Sequence, residues 1–481
     1  MSKLSERCRQ HLEMNGYTVY TFANNTGLDR ASIHRLVSGL RLPSKAFLSS
    51  FCDFLRINAR DRKEILNLYE EEKSGTTVYQ SREHIKKLLS EIMELDTNKA
   101  PLFVNFQPPD STDRLPLKSD TLLQTTCLVF SLLERAFASL GTNMPLLCNL
   151  PPDSPFPISV ALNQYHLKYR KKICFKHLFF LVQGDSQVSG GFQNVQVLRH
   201  VLPLSLSRFE TYLPYFSYSQ EGMSATTDRA WPYYLITDIA VLVISSDMTK
   251  SICIQDTSKI MAYRQEMENA FSKAKPMMQI THNPEDAASL YNHASDPCIP
   301  LVAFFKQQPC LTSCIPAETV LSGFQSLGLS SYLTSEYLTH REPGKRLFDT
   351  TAFFSWKGLK LLWETGRIVG QATACLPPLS VSDRRKTLET FIRENGKTIA
   401  YSQLLKETIA FPDSLYFELL AENQVFFCML IDQCDMRFAI LREPGIYQAF
   451  LDFVQYLSDH AYTLEETNQI IRRLLNGKPM V

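Results

Sequence analysis

The chain has 481 residues, of which 44% are hydrophobic and 21% are charged. These proportions are ordinary for a soluble globular protein and exclude wholesale disorder, and the length predicts about three folding units. The formal net charge of +1 excludes a chain that binds nucleic acid along its whole length, although residues 1–60 alone carry a net +5.

The first 73 residues predict a compact all-α unit of five short helices. Leu4, Cys8 and Leu12 are spaced four apart, as on one face of a helix. Four further helices are predicted to begin at polar residues that can cap a helix: Thr18, Asp29, Ser44 and Asn58. The first three helices are predicted to end at glycines: Gly16, Gly27 and Gly39.

Residues 74–98 predict a connecting helix. One face of this helix carries an apolar stripe: Ile85, Leu88, Leu89 and Ile92. Such a stripe needs a partner, which is either the body of the same chain or a second copy. Residues 96–119 are rich in Pro, Asp, Ser and Thr, which predicts a domain boundary there.

The rest of the chain alternates strand-like and helical patterns, which predicts an α/β or α+β body divided into residues 99–276 and 277–481. Strands are predicted at apolar runs: 173–182, 233–245, 251–254, 299–305, 415–420, 424–431 and 436–441. Helices are predicted at 120–140, 257–274, 316–327, 356–366, 382–394, 444–459 and 463–475, the last with a capping box.

One order of elements occurs twice in this body. A strand at 241–244, a turn, a strand at 252–254 and a helix recur as a strand at 425–431, a turn, a strand at 438–441 and a helix. A duplication that produced two similar lobes explains the recurrence. Units of this kind are also common by themselves, so the pattern has a second explanation.

Residues 18–39 resemble the helix-turn-helix of the lambda-repressor-like (XRE-type) family of DNA-binding domains. Six residues fall in register with that family: Ala23, Gly27, Ile33, Leu36, Gly39 and Pro43. The resemblance covers about residues 3–72. Val19 departs from it, because a polar residue that touches phosphate is common there, and Tyr20 stands where a small or charged residue is common.

The resemblance implies that the third helix enters the major groove of double-stranded DNA. It implies that Arg30, Ala31, Ser32 and Arg35 face base edges and that His34 lies nearby. Three further residues are candidates for contacts with the phosphate backbone: Thr18, Arg41 and Lys45. A helical module that contacts protein is the alternative use of this unit.

Several patterns fall short of a catalytic or metal site. Cys310 and Cys314, with Cys298 and His293, lack the spacing of a known zinc ribbon or finger. The segment 184–186, Gly-Asp-Ser, lacks the later lysine that serves as base in self-cleaving phage-type repressors.

Two His-x-Lys segments, at His84 and His166, lack the aspartate that follows in phospholipase-D-type enzymes. Residues 233–277 nevertheless resemble the catalytically inactive phospholipase-D-like modules that lie behind some helix-turn-helix domains and are built as duplicated lobes.

The sequence therefore predicts a sequence-specific, DNA-binding transcription regulator that is not an enzyme. It is expected to be homodimeric, to respond to an unknown effector, and to need no cofactor or metal. It is also expected to be cytoplasmic and to bind no membrane, since no signal peptide or membrane-spanning run is found. An adaptor or antitoxin-like protein-binding regulator and an enzyme with an appended DNA-binding domain are the alternatives.

Overall fold

The computed structural model describes these residues: 2–96, 115–139, 145–156, 158–169, 174–183, 189–206, 212–219, 230–281, 301–311, 313–326, 350–369, 376–397, 400–406, 409, 411–430 and 436–477. They fall into two compact units, Met1–Glu83 and His84–Val481. The predicted fold class is confirmed, because a helical N-terminal segment is followed by a mixed α/β body with two sheets.

The first unit contains five helices and the start of a sixth. The helices are α1 (Lys3–Met14), α2 (Val19–Thr26), α3 (Arg30–Ser38), α4 (Lys45–Phe54), α5 (Ala59–Ser74) and α6 (Thr76–Asp96). The apolar faces of α1 to α5 enclose one core around Phe22, Ile33 and Phe51. Helices this short are marginal alone in water, so burial of these faces stabilises them.

Polar caps begin these helices at the predicted positions. The side chains of Thr18, Asp29, Ser44 and Asn58 each accept a hydrogen bond from the backbone N–H three residues later. Each cap stabilises its helix by about 1 kcal/mol. Gly27 ends α2 with φ at 71°, a left-handed conformation that glycine adopts at little cost, so α3 begins after a short turn.

An eight-stranded sheet lies in the second unit. Its strands are β1 (Lys118–Ser119), β2 (Leu146–Cys148), β3 (Phe175–Val182), β4 (Tyr212–Ser219), β5 (Tyr233–Ile236), β6 (Val241–Ile244), β7 (Ser251–Ile254) and β8 (Lys275–Pro276). They are ordered β1-β7-β6-β5-β2-β3-β4-β8. The accompanying helices are α7 (Leu122–Ala138), α8 (Ile158–Tyr169), α9 (Ser189–Leu206) and α10 (Thr257–Lys273).

A seven-stranded sheet follows in the same unit. Its strands are β9 (Met278–Thr281), β10 (Leu301–Phe305), β11 (Thr351–Phe354), β12 (Tyr401–Leu404), β13 (Leu415–Leu420), β14 (Gln424–Leu430) and β15 (Met436–Leu441). They are ordered β12-β11-β10-β13-β14-β15-β9. The accompanying helices are α11 (Ala317–Ser326), α12 (Trp356–Thr365), α13 (Val381–Glu394), α14 (Pro444–Asp459) and α15 (Leu464–Leu475).

Six strands of each sheet share one topology. In the first, β2, β3 and β4 are parallel, and β5, β6 and β7 continue antiparallel from the other side of β2. In the second, β10, β11 and β12 are parallel, and β13, β14 and β15 continue antiparallel from β10. Short strands β1 and β9 pair with β7 and β15. The order repeated in the sequence is β6-β7-α10 and β14-β15-α14, so the repeated elements occupy equivalent places in two similar lobes.

One hydrophobic core joins the two lobes. It takes residues from both sheets and from α6, α7, α9 and α14. The α6 stripe of Ile85, Leu88, Leu89 and Ile92 is 0% exposed within this core. The suggestion that the stripe forms a dimer interface is therefore wrong, because its apolar surface is already removed from water inside the same chain.

The predicted limits 1–73, 74–98, 99–276 and 277–481 stay predictions. The compact units divide between Glu83 and His84. The first sheet ends at Pro276, and the second begins at Met278. Within the described ranges, none of the helices has the length and apolar content that a bilayer crossing requires.

Buried His177 makes the stability of the second unit depend on pH. Its Nε2 lies 2.8 Å from the Leu150 carbonyl oxygen, and its Nδ1 lies 3.1 Å from the Tyr212 hydroxyl. Burial lowers the pKa of His177 from 6.5 to about 4. Below pH 6.5 the unfolded chain binds a proton that the folded chain does not, so stability falls as pH decreases toward 4.

We expect His177 to remove about 2 kcal/mol from the free energy of unfolding between pH 7 and pH 5. Urea unfolding followed by tryptophan fluorescence measures this, because Trp231, Trp356 and Trp363 all lie in the second unit. His177→Gln is expected to lose that part of the pH dependence. An equal decrease in the variant and the unaltered protein would show that other groups cause it.

Candidate nucleic-acid interface

Helix α3 is fixed by one face and exposed on the other. Ile33, Leu36 and Val37 are 7% exposed or less and pack in the core of the first unit. Arg30, Ala31 and His34 are exposed on the rest of the helix surface. Because the core holds the helix axis in place, the exposed residues occupy a defined surface rather than a mobile loop.

Asp29 begins α3 and is bound to Ser32 twice. Its Oδ2 accepts hydrogen bonds from the Ser32 backbone N–H at 2.8 Å and from the Ser32 hydroxyl at 2.6 Å. The hydrogen bonds from the Ser32 side chain and backbone lower the pKa of Asp29. The carboxylate is therefore ionised at neutral pH, and it satisfies N–H groups that the helix leaves unpaired at its start.

Arg35 lies along the surface of its own helix. Its Nε donates to the Ala31 carbonyl oxygen at 3.1 Å, and its Nη2 donates to the Ser32 hydroxyl at 3.4 Å. The same Nη2 lies 3.7 Å from Asp29 Oδ2, and the Arg35 side chain remains 42% exposed. Asp29, Ser32 and Arg35 thus form one hydrogen-bonded network on the first two turns, which limits the rotamers of Arg35.

Tyr20 supports Arg30 from α2. The Arg30 Cζ atom lies 5.3 Å from the centroid of the Tyr20 ring, within the range of a cation–π contact. Tyr20 is 57% exposed, so the pair lies on the surface. The sequence shows Tyr20 only as a departure from the resembled family, whereas the structure gives it a contact with a predicted base-reading residue.

Three predicted phosphate contacts come from other segments of the first unit. Thr18 is exposed and its Oγ1 accepts a hydrogen bond from the Thr21 backbone N–H at 3.1 Å. Arg41 is exposed in the segment between α3 and α4. Lys45 is exposed, but its Nζ lies 3.3 Å from Glu70 Oε1. The carboxylate of Glu70 partly offsets the Lys45 charge, which makes Lys45 the weakest of these three candidates.

The His-x-Lys segments of the sequence lie on helices. Lys86 on α6 donates to the Tyr456 hydroxyl at 3.0 Å, and Lys168 on α8 forms an ion pair with Glu134. These contacts hold the two lysines against neighbouring helices. None of the described contacts of Lys86 or Lys168 joins one His-x-Lys segment to the other.

The other patterns noted in the sequence are only partly described. Residues 184–186, His293 and Cys298 lie outside the described residues. Cys314 is buried, and Cys310 is partly buried. Among the described parts of the chain, no group of three or more His, Cys, Asp or Glu side chains is arranged to hold a metal ion.

No protein-family model matches this sequence, and no curated protein matches it. Among solved structures, the archaeal chromatin protein TrmBL2, described as showing a novel mode of DNA binding, aligns at 12% identity. The alignment covers 57% of this chain and 94% of TrmBL2, with a TM-score of 0.24. Phosphatidylserine synthase from Haemophilus influenzae Rd KW20 aligns at 8% identity over 76% of this chain and 93% of its own, with a TM-score of 0.22. Both TM-scores are too low to support an argument about function.

Proposed function

We propose that the first unit is an XRE-type helix-turn-helix domain that binds double-stranded DNA, and that the protein is a sequence-specific transcription regulator. One observation carries the proposal: the core fixes α3 while its first two turns expose Arg30 and Ala31 and leave Arg35 partly exposed. A recognition helix has this construction, since its N-terminal residues must reach base edges while the rest of the domain stays rigid.

The side chains on α3 suit base recognition. An arginine can donate two hydrogen bonds to O6 and N7 of guanine, and the Ala31 methyl group can contact the thymine methyl group. Residues 1–83 carry a net +3 and the remaining chain carries −2. This distribution favours phosphate contact by the first unit over contact by the body. The proposed role is binding and involves no catalytic step.

Selection of an operator from random duplexes, followed by affinity measurements on the full chain, tests the proposal. We expect specific binding that weakens steeply with salt, because phosphate contacts release counterions. A chain lacking residues 1–83 is expected to lose operator binding while its circular dichroism shows a folded body. Equal operator affinity with and without residues 1–83 would disprove the proposal.

Tyr20 is expected to affect DNA binding through Arg30. Tyr20→Ala removes the ring under the guanidinium and is expected to weaken operator binding by about 0.5–1 kcal/mol. Tyr20→Phe keeps an aromatic face and is the matched control, with an expected change near zero. A loss in Tyr20→Phe as large as in Tyr20→Ala would instead assign the effect to a contact made by the Tyr20 hydroxyl.

We propose that the regulator binds DNA as a homodimer through its second unit. Two-fold dimers reach half-sites about one helical turn apart, whereas one helix-turn-helix covers a single half-site. With the α6 stripe buried, Leu117, Leu122 and Leu123 are the candidate contacts, since they are between 42% and 68% exposed.

Light scattering on the full chain tests this proposal. Leu122→Glu combined with Leu123→Glu is expected to give a folded monomer. Val381→Glu is the control, because Val381 is also 68% exposed and is expected to leave the dimer intact. A monomeric unaltered protein at micromolar concentration would contradict the proposed dimer.

A further inference from the structure

A cavity of about 490 Å³ lies in the first lobe at the carboxyl ends of β2 and β3. Its walls come from residues 149–153 after β2, from the end of β3, from α9 and from Tyr233. Tyr233 begins β5, which runs antiparallel to β2 and therefore starts at the same edge of the sheet. Open α/β sheets bind ligands at this edge, where the strand order changes direction.

Two asparagine side chains hold the walls of the cavity in place. Asn149 Oδ1 accepts from the Tyr234 backbone N–H at 2.7 Å, and its Nδ2 donates to the Pro232 carbonyl oxygen at 3.0 Å. Asn194 Oδ1 accepts from the Val182 backbone N–H at 3.1 Å, and its Nδ2 donates to the Val182 carbonyl oxygen at 3.2 Å. Both amides bind the backbone with their oxygen and their nitrogen, so they shape the cavity.

Other polar groups of the lining have no such partner. Tyr233 is 4% exposed, yet its hydroxyl makes no hydrogen bond with any residue in the described ranges. Most of the Tyr233 side chain is therefore removed from water, while its hydroxyl is left to face the cavity. Asp153, Gln193 and His200 are exposed residues that border the same space and make no hydrogen bonds to described residues. The cavity therefore presents several polar groups that a bound molecule can satisfy.

Among the described residues, the lining carries no uncompensated cation. Arg199 uses Nε and Nη2 to bind Glu91 on α6, with 2.9 Å between Nε and Glu91 Oε1, which leaves Nη1 for another acceptor. Asp153 supplies one carboxylate. Partial desolvation and the neighbouring charge of Arg199 lower the pKa of His200, so its imidazole is neutral at neutral pH. Glu91 offsets the charge of Arg199 and Asp153 adds a second carboxylate, so the lining is a poor match for a multiply charged phosphate.

The equivalent edge of the second lobe is filled by protein. After β10, Gln307 and Gln308 are at most 1% exposed. Gln308 Nε2 donates to the Arg367 carbonyl oxygen at 2.8 Å, and its Oε1 accepts from the Val369 backbone N–H at 3.0 Å. Gly358 on α12 packs so closely that a Cβ there would lie 1.9 Å from the Gln307 carbonyl oxygen. The same topology thus fills this edge in one lobe and, among the described residues, leaves a cavity at it in the other.

We propose that the open cavity of the first lobe binds a small zwitterionic ligand of the amino-acid class. Asp153 binds the ammonium group, Arg199 donates one hydrogen bond from Nη1 to the carboxylate, and the Tyr233 hydroxyl supplies a further hydrogen bond. The volume falls within the range of small-molecule sites. Ligand binding itself does not depend on DNA binding, but the role of the ligand as effector rests on the proposed function.

Thermal unfolding and calorimetric titration of the full chain with each standard amino acid, at millimolar concentration, test the proposal. We expect at least one amino acid to raise Tm saturably. Asp153→Asn is expected to weaken its affinity about tenfold or more, because it removes the negative charge that faces the ammonium group. Tyr233→Phe is expected to weaken it by about tenfold, because it removes one hydroxyl with little change of shape. Tyr263→Phe, outside the cavity lining, is the matched control and is expected to bind as the unaltered protein does.

Glucose and inorganic phosphate serve as comparison ligands. The proposal is overturned if no amino acid binds, if only glucose or phosphate binds, or if Asp153→Asn and Tyr233→Phe both keep full affinity. The titrations contain no DNA, so a failure of the DNA-binding proposal leaves their result interpretable. Operator affinity measured with and without the amino acid then tests the effector role separately.

Discussion

Lys306→Met is expected to lower the free energy of unfolding of the second unit by about 3–5 kcal/mol. Lys306 Nζ lies 3.4 Å from Glu418 Oε1, and the two side chains are 9% and 4% exposed. The ammonium group also lies 4.3 Å from the centroid of the Tyr416 ring and 4.8 Å from that of Phe304. Loss of the lysine leaves the Glu418 carboxylate buried without its cation, which accounts for the size of the effect.

A double variant separates the ion pair from the packing around it. Lys306→Met with Glu418→Leu removes both charges, and it is expected to be much more stable than Lys306→Met alone, because replacing a buried pair by apolar groups is often near neutral. Urea unfolding followed by tryptophan fluorescence measures both variants. Equal losses in the single and the double variant would mean that shape, and not the unpaired carboxylate, determines the cost.

Local signals in the sequence predict much of the fold. Thr18, Asp29 and Asn58 begin helices as predicted, because a cap depends on residues within one turn. The apolar runs at 415–420 and 436–441 are strands with the predicted limits. These features need no knowledge of distant parts of the chain, so composition and spacing suffice.

Several elements were missed because their signals are weak or nonlocal. Strand β4 contains Pro214 and many aromatic residues, and a proline weakens a strand pattern. Helix α9 contains Pro203 and begins with glycines, which weaken a helical pattern. Strands β11 and β12 have four residues each, and their pairing in the sheet comes from distant segments.

Some features of the candidate DNA site likewise follow from the local sequence, and others depend on packing between helices. The resemblance supplies Arg30, Ser32 and Arg35 as surface residues of one helix, and the structure places all three on α3. Neither the contact of Tyr20 with Arg30 nor the ion pair of Lys45 with Glu70 follows from the spacing. Both depend on how helices pack against one another. The same holds for the α6 stripe, whose apolar pattern does not reveal which chain covers it.

Arg30→Ala and Arg35→Ala are each expected to weaken operator binding by about 1–3 kcal/mol and to relax preference at one base pair. Arg30 lies in the first turn of α3 and Arg35 in the second. Arg30 contacts the Tyr20 ring, whereas Arg35 contacts Ser32, which is bound to Asp29. Their losses should therefore be nearly additive, which gives the double variant a deficit of about 2–6 kcal/mol. Competition binding against duplexes altered at single base pairs measures both affinity and preference.

The control is Arg60→Ala, because Arg60 is an exposed arginine on α5 rather than α3. It changes the net charge of the first unit by the same amount and is expected to lower affinity slightly and equally for all sequences. If Arg30→Ala or Arg35→Ala also weakens all sequences equally and reduces the salt dependence by about one unit, that arginine contacts phosphate. If both behave as Arg60→Ala does, α3 is not the helix that reads the bases.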